Sequence, residues 1–194
     1  MGITCVLLVS NGGYQDLVDL SERIISNLSG KLLDNWKINA LLQQQQSMYT
    51  ISFNSGALKD KFYCLVDDII VESDREMEGI LKRLKNLWMS RQMAQFEGQT
   101  YSIGDFVIRA ANASNSPQKG MLIEIEYLPT LNYKSAIPLL KEFITILLPD
   151  VKTLSWSPGS EMENFKKVGL SETDFSRTHT AHQYIMLFKN NSIL

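Results

Sequence analysis

Four strand-like runs follow one another between Trp36 and Ser73 with no helical segment between them. In the first, Trp36, Ile38, Ala40 and Leu42 alternate with more polar neighbours. MYTISFN (48–54), KFYCLV (61–66) and IIVES (69–73) complete the series. The breaks between them are short: the glutamine run Gln43 to Gln46, the turn Asn54-Ser55-Gly56, and Asp67-Asp68. Parallel neighbours need a crossover of about a dozen residues or more, so consecutive β-runs joined this tightly imply antiparallel meander pairing and not a doubly wound parallel sheet.

The flanks extend the pattern. GITCVLLVS (2–10) is apolar on both faces, which suits a buried strand, and Asn11-Gly12-Gly13 ends it. Leu17, Leu20, Ile24, Ile25 and Leu28 then recur at helical spacing, with Gly30 placed to close an amphipathic helix over Tyr14 to Leu28. After the fourth run, Ser73 or Asp74 can cap a helix from about Arg75 to Met89, with Met77, Ile80, Leu81, Leu84 and Trp88 on its apolar face. Residues 2–90 thus read strand, helix, four strands, helix.

The second half opens with a β-like piece around Ala94 to Thr100. GDFVIRAANA then runs through the Pro/Gly-containing loop Ser114 to Gly120 into GMLIEIEYLP, the signature of a hairpin. Ala136 to Leu148 reads as a helix ended by Pro149. Lys152 to Arg177 is polar, contains Pro158-Gly159 and lacks steady periodicity, so a long, partly mobile connection is expected over 152–177. His179 to Lys189 closes the chain as a short helix anchored by Tyr184, Leu187 and Phe188. The 194 residues are expected to form one domain with pseudo-halves of about 1–92 and 93–194.

Charge and composition narrow the function. With 19 Lys and Arg against 21 Asp and Glu, the formal net charge of −2 supplies no general basic field for a phosphate backbone. Cys5 and Cys64 each sit in a strand-like run, where a thiol behaves as a small hydrophobe. The N-terminal apolar run lacks a preceding basic segment and reads as a strand, not a signal peptide. Pro138, Lys141 and Glu142 interrupt the longest apolar block, which therefore cannot span a bilayer. A soluble, intracellular chain without membrane contact is expected.

Glu124 and Glu126 carry the one constellation that invites chemistry. Pairing Ile108 with Ile125 puts Ile108, Met121, Ile123, Ile125 and Tyr127 on one face, and places Arg109 opposite Glu124 and Val107 opposite Glu126. A one-residue slip would bury both carboxylates, so the period of two favours this register. Carboxylates at i and i+2 lie about 6.5–7 Å apart, a spacing compatible with an inverting glycosidase. Such a pair needs a sugar cleft with aromatic walls, whereas this face offers Val107, Leu122 and Leu128. A solvated or partner-contacting face is the preferred reading, with Val107, Arg109, Leu122, Glu124, Glu126 and Leu128 as partner-interface candidates. A carboxylate-dependent hydrolase and a small-molecule-binding β-barrel remain as alternatives.

Other motifs fall short. His179 and His182, the two histidines, are spaced i, i+3, but no motif supplies a third zinc ligand, and exposed imidazoles at a helix terminus are expected. Ser10-Asn11-Gly12-Gly13 lacks the lysine and glycine spacing of a phosphate loop. No nucleophile–base set can be nominated. No enzyme activity, cofactor or metal is expected.

Taken together, the opening MGITCV, YSIGDFVIRA followed by GMLIEIEYLP, and HQYIMLFK near the end resemble subunit 20 of the Mediator complex, a component of the coactivator's head module. The resemblance implies an α+β fold: an antiparallel, β-barrel-like or saddle sheet flanked by helices, related to the TATA-box-binding protein. It implies a heterodimer with subunit 18, attachment through it to subunit 8, contact with other head-module subunits, and a nuclear role with the RNA polymerase II initiation machinery. A TATA-type binder needs apolar wedges and cationic groups on its concave strands. The hairpin offers Asp105, Glu124 and Glu126 with Arg109 as its one cation, so no direct sequence-specific DNA binding is expected.

Overall fold

The computed structural model describes residues 1–10, 12–43, 48–54, 58–84, 90–114, 120–149, 156–171 and 173–194. Its elements are β1 (Ile3–Val9), α1 (Tyr14–Glu22) continued by a π-turn (Arg23–Asn27), β2 (Lys31–Gln43), β3 (Met48–Phe53), β4 (Lys61–Val66), β5 (Ile69–Asp74) and α2 (Glu76–Arg83). Then come β6 (Ser90–Ile103), β7 (Phe106–Ala113), β8 (Met121–Tyr127), α3 (Tyr133–Leu147), α4 (Pro158–Lys167) and α5 (Arg177–Asn190). The strand, helix, four strands, helix order of the first half is thus the observed one.

All eight strands form one sheet in the order β1-β8-β7-β6-β2-β3-β4-β5, antiparallel at every step. The long strands β2 and β6 pair at its centre and join the two halves. Asp67 and Asp68 connect β4 to β5 with φ of 46° and 63°. Positive φ at both central residues is the conformation of a type I′ turn, whose twist matches that of the flanking strands.

The sheet is a half-barrel curled around α5. That helix touches β1 at one end of the strand order and β3, β4 and β5 at the other, which a flat sheet would not permit. Val6, Trp36, Phe53, Tyr63, Phe96 and Leu122 line the concave side against Tyr184, Ile185 and Phe188. Phe96 and Phe188 stack with centroids 5.3 Å apart and planes 6° from parallel. On the convex side, Cys5, Leu7, Ile108, Ile123 and Ile125 pack against Leu20, Ile24, Leu140 and Ile144 from α1, the π-turn and α3. The first and last thirds of the strand order therefore differ: β1, β8 and β7 are covered on both faces.

One helical expectation needs correction. The stretch 152–177, expected as an irregular connection, contains α4, which begins with Ser157 at the N-cap and Pro158 in the first turn. A proline there loses no helical hydrogen bond and presets φ. The last helix is anchored as expected by Tyr184, Leu187 and Phe188, and its burial goes further, to nine of its fourteen residues. Its burial runs through consecutive positions Thr180 to Ile185, so it lacks the one-sided stripe that marks a surface helix. The readings placed on residues 44–46, 55–56, 85–89, 115–119 and 152–155, including Trp88, lie outside the described residues.

Candidate functional site

The hairpin has the register expected of it: Ile108 opposes Ile125, Arg109 opposes Glu124, and Val107 opposes Glu126. Its polar face, however, is not wet. β1 adds to the far edge of β8, setting Val6 against Glu124 and Thr4 against Glu126, and α5 lies over that face. Arg109, Leu122, Glu124 and Glu126 are all buried, with Glu124 only 1% exposed. The reading of these four residues as a solvated or partner-contacting face is therefore corrected: their cover is the chain's own α5 and β1. Of the six candidates, Val107 is half-buried and Leu128 is exposed.

Burial of two carboxylates requires that their oxygens be satisfied, and each of the four has a donor. Arg109 Nη1 donates to Glu124 Oε1 and, at 2.9 Å, to Glu126 Oε2. The Tyr184 hydroxyl donates to Glu124 Oε2. The backbone N–H of Gly2 donates to Glu126 Oε1 at 2.8 Å. Burial pushes the Glu124 carboxyl above its usual range, Arg109 draws it back, and Glu126 pushes it up again. Burial would lower the Arg109 guanidinium, but the two carboxylates outweigh it and the net shift is upward. With all four oxygens engaged inside the core, the pair lines no sugar cleft, and the hydrolase reading loses its geometry. The rings packed around α5 likewise fill the concave side that a ligand-binding barrel would keep open.

A second polar seam joins β1, α5 and α4. Thr4 Oγ1 donates to Gln183 Oε1 at 2.7 Å and lies 2.9 Å from Thr180 Oγ1, while Gln183 Nε2 donates to the Thr4 carbonyl at 2.9 Å. Glu161 of α4 closes the seam by accepting from Trp156 Nε1 at 2.9 Å, from Gln183 Nε2 at 3.1 Å and from the Tyr133 hydroxyl. Burial raises its carboxyl to about 7, against the opposing pull of those three donors. A cavity of about 80 Å³ beside it is bordered by Asn164, His182 and Gln183.

Neither histidine is exposed, contrary to expectation; each is 2% accessible. His179 Nδ1 accepts from the Ser176 N–H at 3.0 Å and its Nε2 lies 2.8 Å from the Ser171 carbonyl, which makes the imidazole a neutral cap holding the start of α5. Burial lowers its pKa, and lowers that of His182 to about 4. Among the described residues no three potential ligands gather to hold a metal, and no helix is long and apolar enough to cross a membrane. At the strand–helix junction, the Gly13 N–H is taken at 2.7 Å by Asp16, so the helix supplies its own anion.

These features define a class: an α+β protein in which a curled antiparallel sheet closes on a C-terminal helix through buried ionic and hydrogen-bonded seams. The family model described as the TATA-binding related factor of subunit 20 of the Mediator complex matches residues 1–189, and the chain belongs to that family. It is 28% identical over 184 residues to Mediator of RNA polymerase II transcription subunit 20b of Arabidopsis thaliana, covering 86% of this chain and 83% of that one. Among solved structures, a Pyrococcus horikoshii protein aligns at TM-score 0.48 and 14% identity, covering 76% of this chain and 90% of its own. The Schizosaccharomyces pombe Mediator head module aligns at 0.41 and 12%, covering 78% and 96%.

Proposed function

We propose that the chain is a non-catalytic subunit of the Mediator head module that pairs with subunit 18, joins subunit 8 through it, and acts in the nucleus on RNA polymerase II initiation. The observation that carries this reading is the family match, which runs through both halves of the sheet and into α5. The internal chemistry supports it, because the carboxylates, the arginine and His179 that an enzyme would present to substrate instead bond within the fold: Arg109 of β7 and the Gly2 N–H to Glu126 of β8, Gln183 of α5 to Glu161 of α4, and His179 to the Ser171 carbonyl. The concave surface on which a saddle-shaped relative would seat a duplex is filled by α5, and this replaces charge on the hairpin as the reason to expect no DNA binding. Co-expression with subunit 18 followed by light scattering on the eluted species tests the pairing. A stable 1:1 complex is the expected result, and two non-interacting monomers would overturn it.

A further inference from the structure

The two edges of the sheet are treated differently. β1 is buried from Ile3 to Leu8, with Ile3, Cys5 and Leu7 at 0% exposure and Thr4, Val6 and Leu8 at 3% or less. β5, at the other end, bonds only to β4 among the strands, and Ile69 and Val71 are 64% and 44% exposed on one of its faces. Protein edges are ordinarily blunted by charged side chains, lysine above all, by proline or by a bulge. β5 has no proline or lysine, its charges being Glu72 and Asp74, and its register with β4 is unbroken from Lys61↔Asp74 to Val66↔Ile69.

The helix that follows compounds the exposure. Met77, Ile80, Leu81 and Leu84 repeat at helical spacing, yet no residue of α2 is buried, and Ile80 and Leu84 are 48% and 40% exposed. α1, α3 and α5 all place side chains in a core. An exposed apolar stripe that directly follows an edge strand in the chain has the composition of a protein interface. Its charge is net negative: residues 67–83, from the β4–β5 turn to the end of α2, carry six carboxylates against Arg75, Lys82 and Arg83. Lys61 and Lys82 engage Asp74 and Glu78 at 2.8 and 2.7 Å; Asp67, Asp68, Glu76 and Glu72, the last accepting from Thr178 Oγ1 at 3.3 Å, outnumber Arg75 and Arg83 and leave the edge net negative.

We propose that β5 and α2 form the docking edge for the protein partner of the preceding section. The partner adds a strand with basic and apolar side chains to β5 and covers Ile69, Val71, Ile80 and Leu84. Main-chain hydrogen bonds along β5 supply adhesion, and alternate side chains supply selectivity. The identity of that partner rests on the head-module reading; the location of the surface does not.

The test measures binding of purified subunit 18, alone and with the remaining head-module subunits, to the wild-type chain, to an Ile69→Asp/Val71→Asp double variant, and to Leu139→Asp on α3. Loss of at least about tenfold in affinity for the double variant alone, with its thermal midpoint unchanged, is expected. Hydrogen exchange of the wild-type complex, which needs no variant to fold, is expected to show residues 69–74 newly protected. Equal affinity of the double variant, or unchanged exchange at 69–74 in the complex, would overturn the docking edge and leave the head-module reading intact. A wild-type chain that binds no head-module subunit would overturn both.

Discussion

The hydroxyl of Tyr184, on the last helix, donates to the carboxylate of Glu124 in β8, sixty residues earlier in the chain. Glu124 is held from its other side by Arg109, so a strand pair and the C-terminal helix share one buried charge. Removing one partner of such a set costs more than the set contributes, because the remaining charge stays buried without compensation. Arg109→Met is expected to destabilise the fold by about 3–5 kcal/mol, and Tyr184→Phe by about 1–3 kcal/mol. Urea denaturation reads both, and the two losses are expected to be non-additive because both side chains bond Glu124.

Glu161 and His182 border one cavity and act on stability with opposite sign. Between its ordinary 4.5 and its native value of about 7, the folded chain keeps a proton on Glu161 that the unfolded chain has lost. Stability on that account falls as pH rises through this window. Between 6.5 and about 4, the unfolded chain takes up a proton that folded His182 refuses, so stability falls as pH drops, and His179 acts in the same direction. Thermal midpoints from pH 4 to 8 are expected to rise more steeply on the acid side in Glu161→Gln. In His182→Gln they are expected to decline more steeply toward pH 7 than in the wild type.

Gly98 lies in β6 between Trp36 of β2 and Ala111 of β7. A Cβ there would stand 1.8 Å from the Ala110 carbonyl oxygen and 2.5 Å from the Ala111 Cα. Both are backbone atoms and cannot rotate aside, so the β6–β7 ladder would have to part. Gly98→Ala is expected to cost about 3 kcal/mol or more, read as a lowered denaturation midpoint together with faster amide exchange in β7.

Because α5 fills the concave side, the isolated chain is expected to show no salt-sensitive affinity for duplex DNA. Fluorescence anisotropy with a labelled duplex between about 50 and 200 mM salt checks this, the range over which phosphate-driven binding changes steeply.

The hairpin register was legible because a period of two leaves only one pairing that gathers Ile108, Ile123 and Ile125 on one face. The environment of its other face was not, and the reason lies in α5. Thr180, His182 and Gln183 are polar by type yet 0–3% exposed, so the helix that covers Glu124 and Glu126 carries no hydrophobic stripe to announce it. One clue was present in β1. Val6 and Leu8 are apolar on the face opposite Cys5 and Leu7, so a sheet containing that strand had to be covered twice, and any strand paired beside it would share the cover. α4 carries no helical stripe in the sequence, because Met162 and Phe165 are its only large apolar residues, and only Phe165 is buried. Its hold on the fold comes from Phe165, packed against Tyr133 and Phe175, and from Glu161, through partners distant in sequence.

The most direct test of the central claim is quantitative mass spectrometry of Mediator purified from cells through a tagged subunit outside the head. The account expects this chain at a one-to-one ratio with the head-module subunits, and co-depleted with subunit 18 when that subunit is removed. Its absence from the purified complex, or its full retention without subunit 18, would contradict the assignment.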